Sequence, residues 1–455
     1  MTSQISTQHH TSDAITRPQP GPACVRPIWN GEAEVLPQPY SPPPEPEIRP
    51  SRWNKELAFG SSADPRRIIG IDSARGFALI GMIAVHVLPA YNKYTDQPTL
   101  IWQLFGGNSS ALFALLAGVT IALLTGGNMP HSGRELRRDQ ISLAVRAVIV
   151  FALGLALDEI RLPVSNILAY YGLLFLLSIA LVSLRIRTLF ILSGVFIIAG
   201  PLAIFAVNSW GHYTTTLNPS FSSLINLPVD TIITLFVGGT YPVVTWMAYI
   251  CVGIALGRMN LHWLITQTRL IAIGAVAAIM GFLLSTFLID YVGGFSQLYY
   301  HTDNYDVEDI LRVIDFGPEI HLPTDTWWWL AINGPHVNTP FSLLTSLGTA
   351  ILALGSFLVI TRMIKNLFIP LIAVGSMTLT LYVSHILLMA TFKESTEALP
   401  TLWFMVHVLG ALLFGTAWQL ARGRGPLEEV VSKISKRVSR AFLPAQPKTV
   451  SDTEN

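Results

Sequence analysis

Long apolar runs separated by short polar stretches fill the chain from residue 68 onwards. A helix needs about 20 apolar residues to cross a bilayer, and ten runs have approximately that length. The pattern predicts an all-α membrane protein, a bundle of about ten transmembrane helices. The predicted spans cover residues 68–90, 101–125, 141–160, 164–184, 187–207, 240–258, 270–292, 342–362, 368–391 and 400–421.

The two ends of the chain have a different pattern. Residues 1–65 are polar and proline-rich, too poor in apolar side chains to offset the entropy of ordering, so they predict a disordered cytoplasmic tail. They contain no apolar core of a cleavable signal peptide. Residues 66–425 then form the membrane domain, and residues 426–455 a second cytoplasmic tail. Residues 427–442 have the apolar spacing of an amphipathic helix on the inner leaflet.

Basic residues in the loops predict the orientation of the bundle. With the N-terminus in the cytoplasm, the inner loops contain nine lysines and arginines, whereas the outer loops contain only four. This asymmetry obeys the positive-inside rule and predicts a multi-pass plasma-membrane protein with both termini in the cytoplasm. The inner nine are Arg134, Arg137, Arg138, Arg185, Arg187, Arg258, Arg269, Arg362 and Lys365.

Two outer loops are long, over residues 208–239 and 292–341. Long loops in compact domains are usually functional or disordered. The second is rich in acidic residues, and we expect it to form a partly ordered cap over the outer face. Its three consecutive tryptophans, Trp327, Trp328 and Trp329, resemble an interfacial aromatic belt. Residues 231–242, just before the sixth span, are a candidate for a short re-entrant piece.

Composition and charge exclude several classes of protein. The chain is 51% hydrophobic and only 13% charged, whereas soluble domains have about 25% charged residues. A net charge of +1 and the absence of a basic block argue against a nucleic-acid partner. Cys24 and Cys251 lie in unlike segments, so a disulfide between them is not expected. There is no metal-ligand spacing of the His-Glu-x-x-His type, so we expect no metal.

The first span contains ionisable residues, which are costly in a membrane and are usually functional there. Arg75 and His86 are eleven residues apart, only about 20° from three full turns, so both face the same side of a helix, roughly 16 Å apart along its axis. Asp72 precedes Arg75 by three residues and can pair with it. The simpler interpretation is a structural ion pair and a histidine that packs against a neighbouring helix.

The segment Ile71-Asp72-x-x-Arg75-Gly76-x-Ala78-Leu79 resembles the first helix of the transmembrane acyltransferases, which include heparan-α-glucosaminide N-acetyltransferase-like proteins and YeiB-like bacterial membrane proteins. The stretches 110–118, 167–172, 241–258 and 425–428 also resemble the YeiB-like group. The resemblance spans roughly residues 66–430. It implies a helical membrane enzyme that transfers an acetyl or other short acyl group from acetyl-CoA to an acceptor.

The chain departs from this pattern at His86, where those proteins often have asparagine. Arginine followed by ten residues and histidine instead looks like related membrane O-acyltransferases that modify bacterial surface glycans, in which the pair is taken as catalytic. We therefore expect Arg75 and His86 to be catalytic, with Asp72 in support. Histidine suits proton transfer near neutral pH or acylation itself, and arginine suits the phosphates of coenzyme A.

Other polar and aromatic side chains are weaker candidates, because packing or an interfacial position also explains each of them. Asp158 is expected to orient His86 or to belong to an interfacial charge cluster. His336 is expected beside the acceptor, whereas His385 and His407 are either core histidines or, for His385, part of the site. The candidates for substrate binding are Asn108, Ser110, Tyr171, Tyr241 and Trp246.

The sequence leaves three functions open. The first is an acyltransferase that uses cytoplasmic acyl-CoA and an envelope glycan or glycolipid in the bilayer. The second is a transporter or flippase of an envelope precursor, in which polar groups along the first helix would line a path. The third is a non-catalytic scaffold of an envelope assembly, without a cavity around Arg75 and His86. A homodimer is compatible with all three functions.

Overall fold

The computed structural model describes residues 67–211, 213 and 218–443. The predicted disordered tail, Cys24 and the last twelve residues lie outside that part of the chain. The described residues are helical, without a β-strand, apart from one isolated bridge between Tyr91 and Pro98. The all-α prediction is confirmed.

The first part of the bundle consists of six helices and the turns between them. They are α1 (Ile69–Val87), α2 (Leu100–Phe105), α3 (Asn108–Leu124), α4 (Gly133–Asp158), α5 (Leu168–Leu181) and α6 (Ile186–Trp210).

The second part adds twelve helices, with π-helical turns over Thr234–Gly238 and Phe287–Tyr291 and 3-10 turns over Trp327–Ala331 and Lys365–Phe368. The helices are α7 (Phe221–Asn226), α8 (Pro228–Ile233), α9 (Val243–Gly257), α10 (Leu264–Thr286), α11 (Gly294–His301), α12 (Val307–Phe316), α13 (Pro340–Met363), α14 (Ile369–Gly375), α15 (Thr378–Thr391), α16 (Lys393–Ala398), α17 (Pro400–Arg422) and α18 (Pro426–Phe442).

Every predicted span has a counterpart among the described helices. Seven segments are long and apolar enough to cross a membrane by length and composition. Two bent pairs of helices correspond to two further predicted spans and form either broken spans or re-entrant loops, Pro228–Gly238 with Val243–Gly257 at 49° and Lys365–Gly375 with Thr378–Thr391 at 67°. The tenth, α5, is a shorter apolar helix. The first bent pair contains most of residues 231–242, the candidate re-entrant segment.

Helix α5 begins four residues later than the predicted fourth span, because Asn166 holds the preceding turn. Its side-chain Nδ2 donates to Gly154 O at 3.1 Å and to Asp158 Oδ2 at 3.0 Å. Its Oδ1 accepts from the backbone N–H of Leu168 at 3.0 Å, in place of the helical bond missing at that end. The asparagine thus joins the end of α4 to the start of α5.

Helix α1 is central and packs closely against α14. A Cβ atom at Gly76 would overlap the carbonyl oxygen of Leu371, and one at Gly375 would overlap that of Asp72. Both obstacles are backbone atoms that cannot rotate away. The glycine that follows Arg75 in the first-helix motif therefore permits a close helix–helix contact.

The second long loop forms an ordered cap with a small hydrophobic core of its own, in line with the expectation. Trp329 is fully buried in that core, and its Nε1–H donates to Thr302 Oγ1 at 3.0 Å. The aromatic-belt interpretation is wrong for this residue, because the chain folds back and encloses the ring. Trp327 is exposed and stacks on Phe205 at 4.3 Å between ring centroids.

The C-terminal helix α18 packs against α4 through small polar side chains, among them Ser435 and Ser439, which are buried. Val430 and Ile434 point outward and are exposed. The amphipathic helix predicted over residues 427–442 is therefore present, with one face on the bundle and apolar side chains on another.

Candidate functional site

Asp72 connects two arginines where α1 begins. The Nη1 of Arg75 donates to Asp72 Oδ1 at 3.0 Å, and the Nε of Arg67 donates to Asp72 Oδ2 at 2.7 Å. The predicted Asp72–Arg75 pair is thus present. The other guanidinium arm of Arg75 donates to Thr120 Oγ1 on α3. With both arms engaged, the Arg75 side chain has a fixed direction.

We call this end of the bundle the basic end, since it also carries Arg185, Arg187 and Arg258. The guanidinium of Arg258 donates to the carbonyl oxygens of Val182 and Leu184, and so fixes the turn between α5 and α6. The opposite end, which carries the cap, is called the loop end.

Three histidines from three helices meet near the other end of α1. The Nδ1 of His86 lies 3.1 Å from Nε2 of His385, and the two rings are nearly parallel, with an interplanar angle of 4°. The ring of His407 lies 4.8 Å from that of His385, edge to face. Because His407 Nδ1 donates to Trp403 O at 2.7 Å, its Nε2 carries no proton in the neutral ring.

A cavity of about 490 Å³ opens at the loop end. Its wall contains His336, whose ring packs edge-on against Tyr241 and whose Nδ1 has no hydrogen-bond partner. His336 is also within electrostatic range of His86. Burial lowers the pKa of His336 to about 4, so the ring is neutral at pH 7. The carboxylates of Asp290 and Asp315 line the same cavity.

A second cavity, of about 230 Å³, enters the bundle from the basic end. Arg75 and Thr120 line its inner part, together with Tyr382, which lies one turn before His385 on α15. Neither His86 nor His385 lines either cavity. The pair is linked to the loop-end cavity through His336, which is within electrostatic range of His86, and to the basic-end cavity through Tyr382.

The predicted substrate-binding residues divide between these cavities. Asn108 and Trp246 line the loop-end cavity, and Tyr171 lines the basic-end cavity. Tyr241 is buried beside His336. The hydroxyl of Ser110 donates to Gly107 O at 2.9 Å, a local bond, while its own carbonyl accepts from the Tyr171 hydroxyl at 3.4 Å.

Comparison with known proteins bears on this arrangement. Residues 67–291, just under half of the chain, match the family model of the heparan-alpha-glucosaminide N-acetyltransferase catalytic domain. Residues 67–291 match the family that the motifs indicated. No curated protein matches the chain. The match supports a multi-pass membrane enzyme of the acetyltransferase type. The acetyltransferase-like region contains Arg75 and His86, whereas His336, His385 and His407 follow it.

Asp158 of the acetyltransferase-like region lies away from His86. One carboxylate oxygen accepts from Asn166, and the other has no hydrogen-bond partner. Its neighbour Glu159 accepts from both the backbone and the hydroxyl of Ser222, at 2.6 and 2.7 Å. These hydrogen bonds lower the pKa of Glu159. In the structure the hydrogen-bond partner of His86 is therefore His385, not Asp158.

Two residues at the basic-end cavity escaped the sequence reasoning. Arg146 lies inside the apolar run of α4, and an arginine within a membrane span is itself a signal of function. Glu428 accepts from the backbone N–H groups of Leu379 and Thr380, at 2.7 and 3.2 Å, and caps α15. No local pattern around Glu428 indicates this long-range cap.

The described residues contain no group of three or more His, Cys, Asp or Glu side chains arranged to hold a metal ion. The three histidines at the end of α1 contact one another through rings and one hydrogen bond. Cys251 is a buried free cysteine on α9.

Proposed function

We propose that this protein transfers an acetyl or other short acyl group from cytoplasmic acyl-CoA to a cell-envelope glycan or glycolipid. The observation that carries the proposal is that neighbours of the His86–His385 pair line cavities at opposite ends of the bundle, His336 at the loop end and Tyr382 at the basic end. A donor would enter at the basic end, facing the cytoplasm, and an acceptor at the loop end. The acetyltransferase family match supports the reaction class.

His86 would act as the base. If its Nδ1–H donates to His385 Nε2, the lone pair on His86 Nε2 is free to take the proton of the acceptor hydroxyl or amine. The acceptor oxygen or nitrogen then bonds to the thioester carbonyl carbon, the carbon–sulfur bond breaks, and the departing thiolate of coenzyme A takes that proton from His86 Nε2. His385 is a positioning residue, since it fixes the ring and tautomer of His86.

Transfer through an acylated His86 would use the same atoms in two steps. The Nε2 would attack the thioester carbon first and expel the thiolate of coenzyme A. The acceptor oxygen or nitrogen would then bond to the acyl carbon, the carbon–Nε2 bond would break, and the acceptor proton would leave with the thiolate as the thiol. A histidine that is neutral at pH 7 serves both routes, because either one needs a free lone pair. The two routes differ in whether the label stays on the protein when no acceptor is present.

Arg75 would hold the donor rather than the acceptor. It lines the basic-end cavity, and the carboxylate of Asp72 and the hydroxyl of Thr120 fix its guanidinium. A fixed guanidinium fork suits a phosphate or a polarised carbonyl oxygen. Asp72 therefore supports Arg75 by orientation. The acceptor would lie in the loop-end cavity among Asn108, Trp246 and His336, with Tyr241 packed against His336.

The test is incubation of the purified protein in nanodiscs with radiolabelled acetyl-CoA and envelope lipid extract. We expect label on a lipid or glycan, or on the protein, and its loss in His86→Ala. His262→Ala is the matched control, since His262 is exposed and lies far from the cluster in the turn after α9. The proposal fails if folded His86→Ala transfers label as well as the wild type.

A second function, transport or flipping of an envelope precursor, is favoured by the two bent helix pairs. Broken helices near the middle of a membrane often form transport sites. The labelling experiment separates the two functions. A transporter would move a fluorescent lipid-linked sugar across the bilayer of proteoliposomes without acetyl-CoA. Neither the wild type nor His86→Ala would then transfer label.

A further inference from the structure

A third cavity, of about 340 Å³, lies between α4 and α18 at the basic end. Four of the side chains that line it are cationic, namely Arg138, Arg146, Lys436 and Arg440.

Two acidic side chains, Glu135 and Asp139, also line this cavity. Asp139 Oδ2 lies 2.6 Å from His131 Nδ1. Glu135 is exposed in the first turn of α4. Among the described residues, no ion pair joins an acid to Arg146, Lys436 or Arg440. The cavity therefore has an excess of positive charge.

Arg424, in the turn before α18, adds to this excess. It is within electrostatic range of both Arg146 and Lys436. Repulsion from Arg424, with some burial, lowers the pKa of Lys436. Like charges at close range oppose folding unless an anion joins them. Helix α18 nevertheless packs its serine face on α4 and brings its cations to Arg146.

Arg146 stands where this cavity meets the basic-end cavity, because it lines both of them. An arginine at that depth in an apolar helix is expensive without a partner and normally marks a ligand or ion path. The guanidinium is thus available both to a group that enters between α4 and α18 and to one deeper in the bundle.

We propose that Arg146, Lys436 and Arg440 form a phosphate-binding site at the entrance of the basic-end cavity. The site fits a phosphate ester, since arginine binds two phosphate oxygens through its fork and lysine adds a compact charge. Two sources share this chemistry. One is the nucleotide part of the acyl-CoA donor, and this assignment rests on the proposed function. The other is the headgroup of an anionic phospholipid beside the outward-facing Val430 and Ile434.

The experiment uses the full chain in nanodiscs of neutral lipid and measures binding of coenzyme A and of its 3′-dephospho form by calorimetry. If the nucleotide is the ligand, Arg146→Gln weakens coenzyme A binding about tenfold or more, and Arg146→Lys restores part of it. Arg187→Gln is the matched control, because Arg187 is an exposed cation at the same end that lines none of these cavities.

A second arm measures retention of phosphatidylglycerol by native mass spectrometry. If the headgroup is the ligand, Arg146→Gln loses bound phosphatidylglycerol and keeps its affinity for coenzyme A. If Arg146→Gln does not fold, the double variant Lys436→Gln/Arg440→Gln, with both changes on α18, replaces it in both arms. Wild-type affinity for both ligands in a folded variant overturns the inference.

The outcomes also separate this inference from the proposed function. A wild-type protein that transfers no acetyl group but binds phosphate through these residues would refute the function and support the site. A variant that binds both ligands normally and still transfers label would refute the site and leave the function in place.

Discussion

The Nδ1 of His86 lies 3.1 Å from Nε2 of His385, although 299 residues separate them in the chain. This contact joins the acetyltransferase-like region to a helix outside it. His336 of the loop-end cavity is within electrostatic range of His86, and α15 carries Tyr382 into the basic-end cavity. A catalytic site built on His86 therefore depends on correct placement of α15.

Replacement of His385 tests its positioning role. We expect His86→Ala to lower acetyl transfer about 10²–10⁴-fold, the usual contribution of a general base. His385→Ala should lower it less, and His385→Gln should regain part of the loss because an amide oxygen can accept the His86 Nδ1–H. Initial rates in nanodiscs across pH 5–9 measure both effects. Equal rates and pH profiles for His385→Ala and the wild type would contradict the role.

Protonation of His336 links stability to pH. Its pKa is lowered to about 4 by burial, whereas a histidine in the unfolded chain titrates near 6.5. As the pH falls from about 6.5 to about 4, the unfolded chain binds a proton that the folded protein does not, so stability falls across this window and is level above it. His336→Gln should show a smaller fall in Tm in detergent, and His262→Gln the wild-type fall. An identical fall of Tm with pH in all three proteins would contradict the link between His336 and stability.

The contact between α1 and α14 predicts different outcomes for two glycine substitutions. Gly76→Ala should destabilise the protein by about 1–3 kcal/mol, because the new methyl group overlaps the backbone of Leu371. Gly194→Ala, where nothing lies within 4 Å, should be neutral or stabilising by up to about 1 kcal/mol through helix propensity. Thermal unfolding in one detergent compares them. A Gly76→Ala protein as stable as Gly194→Ala would refute the packing argument.

The cap on α15 predicts that Glu428 affects a site it does not touch. Glu428→Ala should cost about 0.5–2 kcal/mol, as loss of an N-terminal cap does, and should also slow acetyl transfer because α15 carries His385. Glu429→Ala is the control, since Glu429 only pairs with exposed Lys433 at 2.6 Å. Normal transfer and Tm in Glu428→Ala would show that the cap is dispensable.

Much of the fold could be predicted because each membrane span is a long apolar run that is visible in the local sequence. The apolar runs located all ten segments, and the spacing of Asp72 and Arg75 located their ion pair. The predicted fourth span begins too early, because the side chain of Asn166 holds the turn before α5 in a non-helical conformation. The prediction misplaced Trp329, since burial in the cap depends on how the loop folds back.

The candidate site was less predictable, because its contacts join distant segments. Helical periodicity placed Arg75 and His86 on one face of α1, but their neighbours on α3 and α15 give them different surroundings. His385 was a weak candidate because a single buried histidine is usually structural. Arg146 was visible in the sequence as an intramembrane charge, whereas its like-charged neighbours on α18 were not.

The measurement that tests the central claim most directly is acetyl transfer in sided proteoliposomes. The protein is inserted with its basic end outward or inward, and membrane-impermeant labelled acetyl-CoA is added outside, with envelope lipid extract in the bilayer. The account predicts labelled product only when the basic end faces the added donor. Product from the loop end, or equally from both orientations, would contradict it.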